Sequence, residues 1–233
     1  NNSSLLLKYV DHSSNAIDNG VNETVITLKD DKYPVTVKLH YVAYGKENII
    51  RTFTEISHEE KKPVILCKYA SSMLHLNSSK YFLTEFSGDW AHEANVTERE
   101  LAFGKKVIDT KLGARANMFV SPFFQLALDN PSQENAGEVL VGTIGWTGNF
   151  RFTFEVDNKN ELRIISGINP YDSEYSLPAK EVFRTPDFYF TYSTQGKGEA
   201  SRNFHDWARN HQVKNGNDTR MTLLNNWEST YFD

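Results

Sequence analysis

Alternation of apolar and polar residues dominates the chain. Val35, Val37, Leu39 and Tyr41 are separated by Thr36, Lys38 and His40. Period two marks a half-buried strand, because successive side chains leave opposite faces. After a turn at Tyr44–Asn48 come Ile50, Thr52, Thr54 and Ile56, with Arg51, Phe53 and Glu55 between them. The two runs predict an antiparallel hairpin. Upstream, Val25, Ile26 and Leu28 predict a strand that stops at the turn Lys29–Lys32. Leu5–Leu7 with Tyr9 and Val10 predict one short strand, and the Ser-, Asn- and Asp-rich stretch Asp11–Asn22 reads as a loop. The rhythm continues through 64–76, 81–86, 101–110, 119–128, 139–146, 150–156, 162–168 and 182–193. Pro122 makes 119–128 a strand or an extended edge segment. Thr147-Gly148-Asn149 predicts a short hairpin loop between its neighbouring strands. Many strands with regular turn signals predict an all-β fold, a large sandwich or barrel.

The pattern changes after Tyr192. Gln195-Gly196-Lys197-Gly198 breaks the alternation. Glu199–His211 then reads as a helix, with Ala200, Phe204, Trp207 and Ala208 on one face. Residues 213–219 are polar, and Met221–Trp227 is a new apolar run that reads as an isolated strand. A lone strand needs neighbours for its backbone groups and side chains. It either opens a second domain or returns to the sandwich edge, and the pattern favours neither.

Composition excludes several classes. At 39% hydrophobic, 13% aromatic and 24% charged residues, the chain is globular and not disordered. Its net charge of -5 argues against nucleic acid as a partner. No apolar run reaches the about 18–20 residues of a membrane span. With Cys67 as the single cysteine there is no intrachain disulfide and no thiolate-rich metal site. That leaves cytoplasm and periplasm both open. The chain opens on Asn1 without a targeting segment, which reads as a processed or trimmed beginning.

Candidate chemistry is sparse. Glycosidases need paired carboxylates. Asp89, Glu93 and Glu98, near Trp90 and His92, form the best local group, although residue types alone describe an ordinary polar loop. The seven histidines show no metal-binding spacing, and His205 and His211 fall on opposed helix faces. There is no Gly-x-Ser-x-Gly elbow and no phosphate loop, and Gly196-Lys197-Gly198 reads as the start of the helix. Asn225-Asn226-Trp227-Glu228 sets an amide pair, an indole and a carboxylate at the end of the last predicted strand. Indole faces stack on sugar rings, and amides and carboxylates pair with sugar hydroxyls.

The run Leu223-Leu224-Asn225-Asn226-Trp227-Glu228-Ser229-Thr230-Tyr231-Phe232-Asp233 resembles the first barrel strand of the α-galactosidases of glycoside hydrolase family 36. Three other matches keep family order. Phe86-Ser87-Gly88-Asp89-Trp90-Ala91-His92-Glu93 is similar to the family's Gly-x-Trp-Ala-Arg-Glu stretch. Ile144-Gly145-Trp146-Thr147-Gly148-Asn149-Phe150 is similar to its Tyr-Ser-Gly-Asn-Phe hairpin, and Ser201-Arg202-Asn203-Phe204-His205 to the start of its linker helix. His92 stands where the family often has Arg, and Ala114–Phe119 lacks a usual His-containing sequence, which points to a divergent branch.

The resemblance implies a two-sheet antiparallel β-supersandwich over 1–194 that lacks its first segment, a linker helix and loop over 195–219, and the first strand of a (β/α)8 barrel over 220–233. It implies a retaining hydrolase of terminal α-linked galactose, without metal or organic cofactor. The substrate partner would be an α-galactoside, and the domain partner the enzyme's own catalytic barrel. Both catalytic aspartates belong to later barrel strands, so the chain by itself is expected to be inactive. Trp227 matches the Trp that lines the galactose subsite, with Asn225, Asn226 and Glu228 as its support. Trp90 and Trp146 match sandwich positions and are expected in the core. Some family members are tetramers, which leaves a homo-oligomer open. The segment that reaches a neighbouring subunit there has no counterpart here. The rival expectation is a stand-alone carbohydrate-binding or structural sandwich.

Overall fold

A computed structural model describes residues 5–230. The chain starts as a four-strand meander, β1 (Leu7–Asp18), β2 (Val21–Asp30), β3 (Val35–Tyr44) and β4 (Ile49–His58), each strand antiparallel to the next. Then come β5 (Val64–Leu66), β6 (Ser72–Asn77), β7 (Tyr81–Ser87), β8 (Asn95–Glu100), β9 (Gly104–Asp109) and β10 (Val120–Leu128). β11 (Glu138–Gly145), β12 (Phe150–Val156), β13 (Glu161–Ile168), β14 (Tyr175–Leu177), β15 (Val182–Arg184) and β16 (Asp187–Ser193) follow. The helix α1 (Gly196–Trp207) runs into a π-helical turn, Ala208–Gln212, and a short helix α2 (Trp227–Thr230) comes last.

The strands build a two-layer sandwich. The large sheet has the order β1-β2-β3-β4-β16-β11-β10-β7-β8, with β15 also paired to β4. The small sheet has the order β6-β13-β12-β9, and β14 pairs with β5 apart from both. The layers meet in a phenylalanine core. Phe124 of the large sheet sits 5.3 Å from Phe152 and 4.9 Å from Phe154 of the small one, both edge to face. Gly142 makes this packing fit. A Cβ there would lie 2.6 Å from Phe124 and 2.8 Å from Phe188.

That core draws on β7, β10, β11 and β16 and on no residue of β1–β4. The four-stranded layer therefore backs only about half of the large sheet. On the same side of the other half, Ile26, Leu39, Tyr41 and Ile50 are half-buried, while Val37, Thr52, Thr54 and His58 are buried, His58 against β14. On the opposite side α1 covers the sheet, with Trp207 against Tyr44 and Tyr189 and Ala200 against Val139 and Val141.

Three expectations change and one open alternative is decided. Asp11–Asn22 is mostly strand, because β1 runs to Asp18 and turns at Asn19-Gly20, where Gly20 takes φ +77°. Its polar residues face solvent on both sides, so the apolar alternation that announces a strand is missing. Thr147-Gly148-Asn149 is not a hairpin loop. β11 lies in the large sheet and β12 in the small one, so the turn carries the chain across the sandwich. Pro122 lies in a central strand, at a register irregularity between Val120 and Phe124 that tolerates its missing N–H. The expected strand at 220–233 is absent from its described part: 221–226 have no regular structure, and Trp227–Thr230 is one helical turn. A strand is held by neighbours, and none lies beside this segment among the described residues. Tyr231, Phe232 and Asp233 lie outside the described residues.

Candidate functional site

The segment singled out as a sugar subsite sits beyond the linker. The Asn225 side-chain oxygen accepts a bond from the Trp227 backbone N–H at 3.0 Å. The Asn226 carbonyl accepts from the Thr230 N–H at 2.9 Å and from its hydroxyl at 3.2 Å. These contacts make a capped helical turn and leave the Trp227 indole half exposed. Met221, Leu223 and Leu224 just before it are almost fully exposed, Leu223 at 90%. An apolar run left so bare has the side chains of a buried element without its surroundings. The structure thus brings Asn225, Asn226 and Trp227 together by local bonds. The Glu228 side chain lies outside its described part.

The acidic group disperses. The Asp89 side chain accepts from the Trp90 N–H at 2.7 Å, and Glu93 from the Ala91 N–H at 3.2 Å, so both carboxylates brace their own loop. Glu98 belongs to β8, where it accepts from Thr84 Oγ1 at 3.1 Å and from both the N–H and the hydroxyl of Ser132. No paired catalytic geometry results from these three.

Trp90 is the residue the sequence reading missed. Expected in the core, it is 87% exposed at the tip of the β7–β8 loop, and Ala91 and Ala94 after it take positive φ. Trp146 is likewise no core residue. Its indole lies over Gly148, where a Cβ would come within 2.8 Å of Nε1. Trp90, Phe119, Trp146 and Tyr171 all emerge at the end of the sandwich where β7, β11 and β13 finish and β8, β10 and β12 begin. Composition held no signal for this, since loop and core aromatics look alike in one sequence.

Four histidines have local partners. His58 is buried and bonded to the Leu177 carbonyl at 3.0 Å. His40 stacks on Phe53 at 4.2 Å and lies 3.0 Å from Glu23 and 3.3 Å from Glu55. His205 meets only Ser201 of its own helix, and His211 reaches Glu47 at 3.4 Å. Among the described residues no three His, Cys, Asp or Glu side chains gather as metal ligands. Gly196 and Gly198 let α1 dock on the loop 133–137, where the N–H groups of Lys197 and Gly198 bond the carbonyls of Gln133 and Glu134. Among the described residues no helix is long and apolar enough to cross a membrane.

The profile of the glycosyl hydrolase family 36 N-terminal domain matches residues 2–178, and the melibiase profile matches residues 182–233. The chain belongs to glycosyl hydrolase family 36. Alpha-galactosidase AgaA of Geobacillus stearothermophilus is 31% identical to it over 228 residues, which cover 97% of this chain and 30% of that enzyme. Alpha-galactosidase Mel36A of Lactobacillus acidophilus is 28% identical over 229 residues, covering 97% of the chain and 31% of the relative. The family 36 chain thus spans about 30% of the length of these relatives and matches their N-terminal region. The crystal structure of AgaA superposes with a TM-score of 0.90 at 28% identity, over all of this chain and 34% of that one. The α-galactosidase of Lactobacillus brevis gives 0.87 at 25% identity, over 97% of this chain and 32% of that one. AgaA variants are known in complex with stachyose and raffinose.

Proposed function

We propose that this chain is the N-terminal, non-catalytic portion of a retaining α-galactosidase that removes terminal α-linked galactose from oligosaccharides. The observation that carries the reading is the unbroken order of the two family profiles, 2–178 and then 182–233, on a fold that superposes on AgaA. Retention takes one carboxylate as nucleophile and another as acid and then base, about 5–5.5 Å apart. In this reading both come from a (β/α)8 barrel whose first strand 220–233 becomes once the neighbouring strands stand beside it, and no residue of 1–233 takes either role. Trp227 lines the galactose subsite, with Asn225, Asn226 and Glu228 supporting it. The bare Met221, Leu223 and Leu224 support the assignment, since a barrel strand is covered on both faces by its neighbours and helices. The half-covered large sheet supports a supersandwich that takes further strands from polypeptide outside these residues.

A carbohydrate-binding module is the second reading, and the exposed Trp90 is what favours it. One pair of measurements separates the two. The purified 233-residue chain is expected to leave p-nitrophenyl α-galactoside intact, while the protein expressed from the gene read past codon 233 turns it over. Turnover by the short chain at a comparable rate would sink the proposal. Calorimetry with galactose on the short chain supports the module if binding is millimolar or tighter. In the longer protein, Trp227→Ala is expected to raise KM and lower kcat/KM by at least tenfold.

A further inference from the structure

The linker does not simply end at α1. Behind Trp207 the π-helical turn Ala208–Gln212 closes with the Val213 N–H on the Ala208 carbonyl at 2.8 Å. Turns of this kind are uncommon and recur at functional joints. Beneath it, in the β3–β4 turn, lies Glu47, a carboxylate only 6% exposed. A buried carboxylate is costly unless it is bonded. Glu47 takes a hydrogen bond from the Asn210 side-chain NH2 at 2.9 Å and faces His211 Nε2 at 3.4 Å, while the His211 ring packs 4.8 Å from Tyr44.

The other end of the same amide is also used. Asn210 Oδ1 accepts a bond from the Asn217 side chain at 3.2 Å. An ionised carboxylate only accepts, so Glu47 fixes which way the Asn210 amide points, and that presents its oxygen to Asn217. Gly216 lets the loop fold back here, since a Cβ on it would collide with the Arg209 carbonyl. Arg220 then donates to the Gly216 carbonyl at 3.2 Å. Contacts therefore run without a break from the sandwich to residue 220.

We infer that Glu47, Asn210 and Asn217 form a latch that sets the direction in which the chain leaves the sandwich toward Asn225–Trp227, with Glu47 and Asn210 as positioning residues for that segment. What the latch positions rests on the α-galactosidase reading. The latch itself does not, and its test uses no sugar. Burial pushes the Glu47 carboxyl up, but bonds from Asn210 and His211 and the charge of His211 outweigh it and leave its pKa below the ordinary value. The groups that face Glu47 are Asn210 and His211 from the π-helical turn, with the Tyr44 phenol behind His211. Asp206 and Arg209 pair with each other on the exposed side.

Hydrogen exchange on the 233-residue chain, corrected for intrinsic rates, tests the latch. Asn210→Ala is expected to speed exchange over 208–220 at least tenfold while β11 and β12 keep wild-type protection. Asn217→Ala loosens 214–220 alone. Glu47→Gln retains an acceptor for Asn210 and restores most of the protection that Glu47→Ala removes. It also abolishes the loosening that the wild type shows as pH falls through the lowered Glu47 pKa. Unchanged exchange over 208–220 in both Asn210→Ala and Glu47→Ala overturns the inference. If Glu47→Ala does not fold, the exposed positions Asn210 and Asn217 decide it alone: equal, unchanged protection in both rejects the latch.

Discussion

Tyr189 reports how tightly the linker helix holds the sheet. Its ring packs 4.6 Å from Trp207, and its hydroxyl donates to Asp187 at 3.2 Å. Burial, followed by the charge of Asp187, pushes the phenol from 10.0 up to about 12. A folded-state pKa above the unfolded one stabilises below the unfolded value, and that contribution is lost as pH rises through the folded value. The window is therefore pH 10 to about 12. Denaturant unfolding is expected to show the wild type losing on the order of 2 kcal/mol more than Tyr189→Phe across it. Equal losses in the two proteins would mean that Tyr189 ionises as freely folded as unfolded. Residue chemistry of this kind is hard to see in a sequence. Trp90 and Trp207 look alike there, yet one is bare on a loop tip and the other sealed between its helix and the sheet. For Trp227 the residue types raise a sugar contact and the family resemblance gives it a role, while in the structure Asn225 and Asn226 cap a helical turn around it.

At the scale of elements, period two found β3 and β4, whose two faces meet different surroundings and so alternate cleanly. It misjudged the partner of β11. Val139 and Val141 lie under α1 while Leu140 and Ile144 face the small sheet, so β11 is apolar on both sides and its sequence does not name its neighbour. Gly142 is the weak point of this strand. It opposes Phe124 on β10 and Phe190 on β16, and a methyl group there enters the space of Phe124 and Phe188. Gly142→Ala is expected to destabilise by about 1–3 kcal/mol through overpacking, with a drop in thermal midpoint that calorimetry measures. A gain in stability, as relief of backbone entropy alone would give, would show that the rings move aside at little cost.

For the whole molecule, the decisive asymmetry is ten strands in one layer against four in the other. The apolar contribution to stability scales with area removed from water, so the β1–β4 half is held less firmly than the half over the phenylalanine core. Substitutions there measure whether a second layer is present. In the 233-residue chain, Leu39→Ser is expected to cost under about 1 kcal/mol, the range of lightly packed sites. Phe152→Ala, in the sealed core, is expected to cost about 3–5 kcal/mol. Amides of β2 and β3 should likewise exchange sooner than those of β11 and β12, because a sheet lightly covered on one face opens without breaking the main core. In a longer protein whose added strands cover Ile26, Leu39, Tyr41 and Ile50, the cost of Leu39→Ser should rise toward that of a buried leucine, about 2–5 kcal/mol. A large cost already present in the short chain would mean that it covers this face by itself. The half-sheet would then be a finished surface, and the case for further strands would fall.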